Sequence, residues 1–293
     1  MDNINGIVVI NKEKGFTSHD VVNVVRRIYS TRKVGHTGTL DPDATGVLPI
    51  CIGKGTKVAD MLIFSDKCYE ARVKLGVTTD TQDISGKVLT TSDVNVSLGE
   101  LTDAVKKFTG SIEQIPPMYS AIKINGQKLC DLARKGVEVE RKPRLITIYS
   151  AVVSDFNGLE FNLSVHCSKG TYIRTLCHDI GAHLGCGAVM CELKRTKSSC
   201  FSIENSHTLD ELKAMSQDEL MAVLKPVDSV FSNYPRLVLN DKLKKLFCNG
   251  VKCTIGADEG TYRVYDKAGS FLAVAEVLKK DEKNILKSVK TFY

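Results

Sequence analysis

The 293-residue chain predicts an α+β fold, a large domain followed by a small β-rich one. Helical and alternating segments mix without the strand–helix–strand rhythm of a parallel sheet. Residues 69–75 alternate strictly, with Tyr69, Ala71, Val73 and Leu75 on one face and Glu70, Arg72 and Lys74 on the other, as in a half-buried strand. Beyond about residue 230 short strands flank an Asp266–Gly269 turn, which places the domain boundary at 230/231 and the domains at 1–230 and 231–293.

The other elements follow in order. Gly6–Ile10 is a short apolar strand that runs into the loop Asn11-Lys12-Glu13-Lys14-Gly15. Thr17-Ser18 opens a helix with Val21, Val25 and Ile28 on one face. Ser97-Leu98-Gly99-Glu100 is a capping box leading into Leu101, Val105 and Phe108, stopped by Gly110. Asn157-Gly158 is a hairpin turn, and its second strand carries Leu159, Phe161, Leu163, Val165 and Cys167 on one face. A helix bearing Ile173, Leu176 and Ile180 follows, with Arg174 beside its apolar face at a cleft edge. Two more capping boxes start at Thr208 and Ser216.

Composition narrows the function classes only a little. Forty Lys and Arg against 34 Asp and Glu leave a net charge of +6, a weak lean toward anionic partners. No pair among the ten cysteines has the C-x-x-C spacing of a zinc or redox motif, and no metal site is expected. No stretch has the ~18 apolar residues of a membrane span, and Met-Asp-Asn-Ile-Asn-Gly is no signal peptide, so the expected location is cytoplasmic.

The densest unusual segment is Lys33 to Leu48, where glycines and threonines surround His36, Asp41 and Asp43. Glycine allows close backbone approach to a ligand, and Pro42 biases Asp41 away from helix. A rigid loop with Asp41 in an Asx-turn is one reading. Asp41-Pro42-Asp43-Ala44-Thr45 also fits D-x-D-x-T, the aspartyl-phosphate loop of haloacid dehalogenase-like phosphatases. That chemistry needs a buried parallel strand before the aspartate, and Gly-His-Thr-Gly-Thr-Leu is a poor strand. Gly53-Lys54-Gly55-Thr56 lacks the earlier glycine of a P-loop.

Gly35-His36-Thr37-Gly38-Thr39-Leu40-Asp41-Pro42 with Ala44-Thr45-Gly46-Val47-Leu48 resembles the signature of the bacterial tRNA pseudouridine-55 synthases, the TruB family. Further blocks recur in order: Asn11 to Ser18, Gly76 with Thr79-Asp80-Thr81-Gln82-Asp83 and Gly86, Pro116 to Lys123, and Cys167 to Arg174. Glu13 departs from the family pattern by standing at a proline position. The resemblance implies a pseudouridine synthase fold with a mixed, mainly antiparallel central sheet, and a PUA-type RNA-binding domain at the C-terminus.

It also implies an activity: isomerisation of uridine to pseudouridine at position 55, in the T loop of tRNA. A C–N glycosidic bond breaks, the uracil turns, and a C–C bond forms. The resemblance makes Asp41 the attacking carboxylate, Arg174 its partner, and Tyr69 the ring that stacks on the base and can take its C5 proton. The target uridine must be extruded. His36 is implied to brace the gap, Tyr172 and Leu193 to line the pocket, and Lys12 to contact substrate. Isomerisation consumes neither electrons nor phosphate, so no cofactor is expected, and tRNA is the one partner implied. A non-catalytic RNA chaperone and a guide-RNA-dependent synthase are the alternatives.

Basic residues gather at Lys123, Lys128, Arg134, Lys135, Arg141, Lys142 and Arg144, and again at Lys242, Lys244, Lys245 and Lys252. Both groups are candidates for phosphate contacts. If the tail is a self-standing RNA-binding module, a chain ending near Val230 should keep its catalytic centre.

Overall fold

The computed structural model describes residues 4–63, 65–280 and 282–293. Its largest sheet has nine strands: β1 (Gly6–Lys12), β2 (Val34–His36), β3 (Thr45–Ile52), β4 (Lys67–Leu75), β5 (Gly110–Gln114), β6 (Arg144–Ser154), β7 (Glu160–Cys167), β8 (Ala188–Ser198) and β9 (Phe201–Ser202). The spatial order is β1-β3-β8-β4-β7-β6-β5, with β2 on β3 and β9 on β8. Only the β3–β8 pairing is parallel, so the sheet is mixed and mainly antiparallel.

The predicted alternation in β4 is observed: Tyr69, Ala71, Val73 and Leu75 are buried, while Glu70 and Arg72 face solvent. Helices α1 (Ser18–Ile28), α2 (Leu98–Lys107) and α3 (Ile173–His183) share a core with that buried face. Thr17 caps α1 in a capping box with Asp20, and Ser97 caps α2 with Glu100. The caps at Thr208 and Ser216 open two short helices, Leu209–Ala214 and Gln217–Ala222. The basic stretch from Lys123 to Arg144 is not one helix face. It forms a small hairpin, a six-residue helix (Leu129–Arg134) and a loop that leads into β6.

The tail is richer than expected. Strands β10 (Arg236–Leu239), β11 (Cys253–Thr254), β12 (Gly260–Asp266), β13 (Phe271–Lys280) and β14 (Lys283–Thr291) form a second sheet in the order β10-β12-β13-β14-β11. Helix α4 (Asp241–Cys248) connects β10 to β11. Strand β14, KNILKSVKT, escapes sequence reading because its lysines mask the alternation; long pairing with β13 decides it.

The two sheets do not separate cleanly. The backs of β1 and β3 (Ile7, Val9, Val47 and Cys51) pack with Phe231, Val274 and Phe292 in one apolar cluster. Phe271 stacks on Phe292 at 4.9 Å between ring centroids, and Lys57 Nζ donates to the Thr291 carbonyl at 2.8 Å. A chain cut near Val230 would therefore expose the underside of the strands that carry the Asp41 loop. The tail is therefore packed on the first domain, and its removal is expected to cost stability. Among the described residues, no helix is long and apolar enough to cross a membrane.

Candidate active site

The Asp41 loop joins β2 to β3 and is held from four sides by polar bonds. Ser18, at the start of α1, donates its hydroxyl to the Leu40 carbonyl at 3.1 Å and accepts the Leu40 N–H at 2.8 Å. Gly15 N–H donates to the Pro42 carbonyl at 2.9 Å. Lys12 Nζ donates to the carbonyls of Glu13 (2.9 Å), Phe16 (2.7 Å) and Pro42 (3.0 Å). Arg195 of β8 donates from Nε to the Val47 carbonyl (2.7 Å) and from Nη2 to the Gly38 carbonyl (3.1 Å). These bonds fix the loop before any ligand arrives.

Lys12 is completely buried, and its ammonium is spent on three carbonyls. It braces the loop from within and does not reach outward to a substrate, which corrects the role implied by the resemblance. Burial lowers its pKa to about 8, against the opposing pull of Asp43 and Asp41. Glu13 supplies only its carbonyl to this cradle, a group that the family's proline also carries.

Asp41 lies at the turn closed by the Ala44 N–H to the Asp41 carbonyl, 3.1 Å. The backbone closes the turn, so the side chain is free of the Asx-turn role and reaches Arg174. Arg174 Nε stands 3.1 Å from Asp41 Oδ2. The carboxylate side chain is 44% exposed while the guanidinium is 7% exposed, so the acid faces the opening and the base lies beneath it. Arg174 is thus inside the core rather than at its edge. Its remaining donors reach the carbonyls of Thr81 (3.0 Å) and Tyr119 (2.8 Å) and Asp83 Oδ2 (3.4 Å). Crowding by protein pushes the Asp41 carboxyl above the ordinary aspartate range, Arg174 pulls it down, and the Asp83 charge pushes it up again.

Asp83 is not among the site residues that the sequence singles out. It is locked in its own turn by the hydroxyls of Thr81 (2.8 Å) and Ser85 (2.5 Å) and by the Ser85 N–H (3.1 Å). Its place in the T-D-T-Q-D block is the signal that could have found it.

Tyr69 faces the same cleft from β4, with its phenol buried. Arg195 is its partner across the β4–β8 ladder. Burial raises the phenol pKa, and Arg195 opposes that shift. Arg195 is 1% exposed and has no carboxylate partner within ion-pair distance among the described residues. The next strand touches it directly: a Cβ on Gly46, whose φ is +99°, would meet the Arg195 carbonyl oxygen at 2.2 Å. Gly46 is a glycine for both reasons.

His36, at the end of β2, accepts the Gly38 N–H on Nδ1 at 3.3 Å, and burial beside Arg195 depresses its pKa. The ring is therefore neutral at neutral pH. Tyr172 precedes α3, and the buried Gln114 side chain grips its backbone: Nε2 to the Tyr172 carbonyl at 3.0 Å, Tyr172 N–H to Oε1 at 2.8 Å. Burial raises the phenol pKa of Tyr172 as it does that of Tyr69, and the Asp41 charge adds a small push to both. Leu193 lies on β8 opposite Ala71, two residues from Arg195 on the same face, half-buried against the core. Of the residues singled out from sequence, Asp41 and Arg174 are in direct contact, Tyr69 and His36 both lie near Arg195, Tyr172 is gripped by Gln114, Leu193 lies on β8, and Lys12 lies under the Asp41 loop.

The chain matches the TruB family pseudouridylate synthase N-terminal domain over residues 26–173 and the tRNA pseudouridylate synthase B C-terminal domain over residues 174–232. It is 48% identical over 250 residues to the tRNA pseudouridine synthase B of Clostridium tetani, covering 85% of this chain and 86% of that one. It is 43% identical over 277 residues to the protein of the same name from Clostridium kluyveri, covering 92% and 95%. Among solved structures, a chain of an H/ACA RNP bound to a substrate RNA containing 2′-deoxyuridine superposes with a TM-score of 0.72, covering 98% of this chain and 85% of that one. At 24% identity that likeness shows the fold alone. Two family domains in succession, and relatives aligned over nearly their whole length, settle the lineage: the chain belongs to the TruB family of pseudouridylate synthases.

Proposed function

We propose that this enzyme isomerises uridine to pseudouridine in the T loop of tRNA, at position 55, with Asp41 as the attacking carboxylate. The observation that carries the reading is the half-buried Asp41 carboxylate held 3.1 Å from the buried Arg174 guanidinium. A carboxylate fixed at a cleft opening can attack carbon, splitting the exchange of a C–N for a C–C bond into two easier steps. Arg174 aims it and offsets the cost of its burial. The atoms balance without a co-reactant: the C1′–N1 bond breaks, a C1′–C5 bond forms, C5 loses a proton, and N1 gains one.

Tyr69 stacks on the extruded uracil and takes the C5 proton. Arg195, its neighbour on β8, holds the Gly38–Val47 loop ends in one frame. The neutral His36 ring can stack against bases next to the vacated position, while Tyr172 and Leu193 close the pocket. The β-rich tail from residue 231 acts as a PUA-type RNA-binding domain, and the enzyme works on tRNA in the cytoplasm with no obligate protein partner. Mapping pseudouridine in unmodified tRNA incubated with the pure protein tests this. Conversion confined to the T loop is expected, and its absence from the Asp41→Asn protein. Equal conversion by that variant would remove Asp41 from the chemistry.

A further inference from the structure

Helices α1, α2 and α4 hold their own N-termini through the side chains of Thr17, Ser97 and Asn240. Helix α3, which carries Arg174, does not. Tyr172 stands at its N-cap position, and the Tyr172 side chain makes no capping bond. A tyrosine there departs from the preference for Ser, Thr, Asp or Asn, and such departures gather at functional sites. The hold comes from another part of the chain. Tyr172 is extended, with φ −100° and ψ 107°, so its N–H and carbonyl point to the same side, as in a strand. One primary amide can meet both. Gln114 Oε1 accepts the Tyr172 N–H at 2.8 Å, and its Nε2 donates to the Tyr172 carbonyl at 3.0 Å. That carbonyl also takes the first helical bond, from the Leu176 N–H at 3.0 Å, so the grip sets where α3 begins.

Gln114 is the last residue of β5, at the edge of the sheet, yet it is only 2% exposed. The chain beyond it is stiff. Pro116 and Pro117 fix φ at two successive positions, and Arg141 Nη1 donates to the Pro116 carbonyl at 3.2 Å. The Tyr119 carbonyl then accepts Arg174 Nη2 at 2.8 Å. Residues 114–119 thus hold 172–174 at two points: the backbone of Tyr172, and the guanidinium that stands 3.1 Å from Asp41. We propose that Gln114 is a positioning residue for the reaction. Its amide sets the start of α3, and through it the approach of Arg174 to Asp41 and the placing of the Tyr172 ring. It touches no reacting atom. The inference rests on the roles given above to Asp41 and Arg174 and deepens them. An amide that only satisfied two buried backbone groups would leave the rate of folded protein unchanged. A positioning amide would not, because misplacing a reacting group by about 1 Å costs up to about 10²-fold.

The test compares the full-length protein with Gln114→Met, which keeps the length without the amide, and Gln114→Glu, which keeps the shape but when ionised has no proton for the Tyr172 carbonyl. Melting curves set a temperature at which all three are folded. Single-turnover conversion of saturating tRNA by Gln114→Met should fall at least about tenfold, with Kd within about threefold of wild type, since the loss lies in the reacting geometry. For Gln114→Glu the rate is taken as a ratio to wild type across roughly pH 5.5–8.5. A buried carboxyl facing a carbonyl titrates above the ordinary ~4.3, and its protonated form donates again. The ratio should therefore be highest at the acid end and fall at least about threefold toward the alkaline end. Hydrogen exchange reads the grip without turnover: the amides of Tyr172 and Leu176 should exchange faster in Gln114→Met, and those of α1 should not change. A Gln114→Met rate within about twofold of wild type, a loss carried entirely by Kd, or a Gln114→Glu ratio flat with pH overturns the positioning role. If wild type forms no pseudouridine, the reaction reading fails, and unchanged exchange in Gln114→Met still overturns the grip.

Discussion

The Asp41 loop and the seam between the sheets lie on opposite faces of β3, and they are held by opposite physics. The loop hangs on directed polar bonds from Lys12, Ser18, Gly15 and Arg195, with its carboxylate on Arg174. The seam is an apolar cluster in which the rings of Phe231, Phe271 and Phe292 lie with centroids 4.9–6.2 Å apart. Directional bonds fix an atom to fractions of an ångström, which a reacting group needs. Apolar burial is non-directional and supplies stability without dictating a geometry. Changes in the loop should therefore cost turnover, and changes in the seam should cost melting temperature.

The largest expected effect is on chemistry alone. Asp41→Asn should lower single-turnover conversion by at least ~10³-fold, the scale of losing an attacking group, while tRNA affinity stays near wild type. Its stability should match or exceed wild type. The Asp41 pKa lies above the ordinary value, so the folded state favours the protonated form, and at neutral pH the ionised group costs stability that Asn removes. A melting temperature well below wild type would show that the carboxylate also holds the fold.

Arg174→Lys should strike both properties and so marks the boundary of the comparison. A lysine keeps the charge but cannot serve Asp41, Asp83, Thr81 and Tyr119 together. Turnover is expected to fall about 10²-fold or more, and stability by about 1–3 kcal/mol, the cost of leaving buried carbonyls without their donor. Normal single-turnover kinetics would mean that the pairing with Asp41 does not act in the reaction.

Phe292→Ala should be the mirror image of Asp41→Asn. Emptying a buried phenylalanine costs about 3–5 kcal/mol. Below the new melting point, the rate at saturating tRNA should remain within about threefold of wild type. A large rate loss in protein that is still folded would break the contrast, since the seam would then steer the loop.

The smallest effects come from pH. The acid limb of the single-turnover profile should lie above the ordinary aspartate value of about 3.9, because conversion is lost as pH falls through the raised Asp41 pKa. Lys12 works in the opposite sense. With its folded pKa at about 8, the folded protein releases that proton while the unfolded chain retains it up to about 10.4. The Lys12 contribution to stability therefore rises with pH between those values. Urea melts of wild type and Lys12→Met across pH 7–10 should converge in slope if another group dominates.

Legibility follows distance along the chain. Caps at Thr17, Ser97, Thr208 and Ser216 and the alternation of β4 are local, and residues a few positions apart reveal each of them. Asp41, Tyr69 and Arg174 are legible because ordered blocks along the chain resemble a known family, not because composition singles them out. Arg195 and Gln114 escape a reading of the sequence. Arg195 reaches Val47 across 148 residues and Gln114 reaches Tyr172 across 58, and nothing local marks either one. Asp83 stands in a recognisable block but has no role visible there, because its partner Arg174 is 91 residues away.

By itself the amino-acid sequence determined the α+β class, the helix starts, the register-defining alternation of β4 and the membership signalled by ordered motifs. All are short-range patterns, in which propensity and burial agree along the chain. Only the tertiary structure decided that Lys12 and Arg174 are buried under the loop, that Arg195 ties Gly38 to Val47 beside Tyr69, and that the second sheet shares a core with β1 and β3. A charged residue reads as exposed unless its partners are known, and these partners are carbonyls and carboxylates brought together by strand order. That order, with β8 inserted between β3 and β4, is a long-range choice that no window of sequence contains.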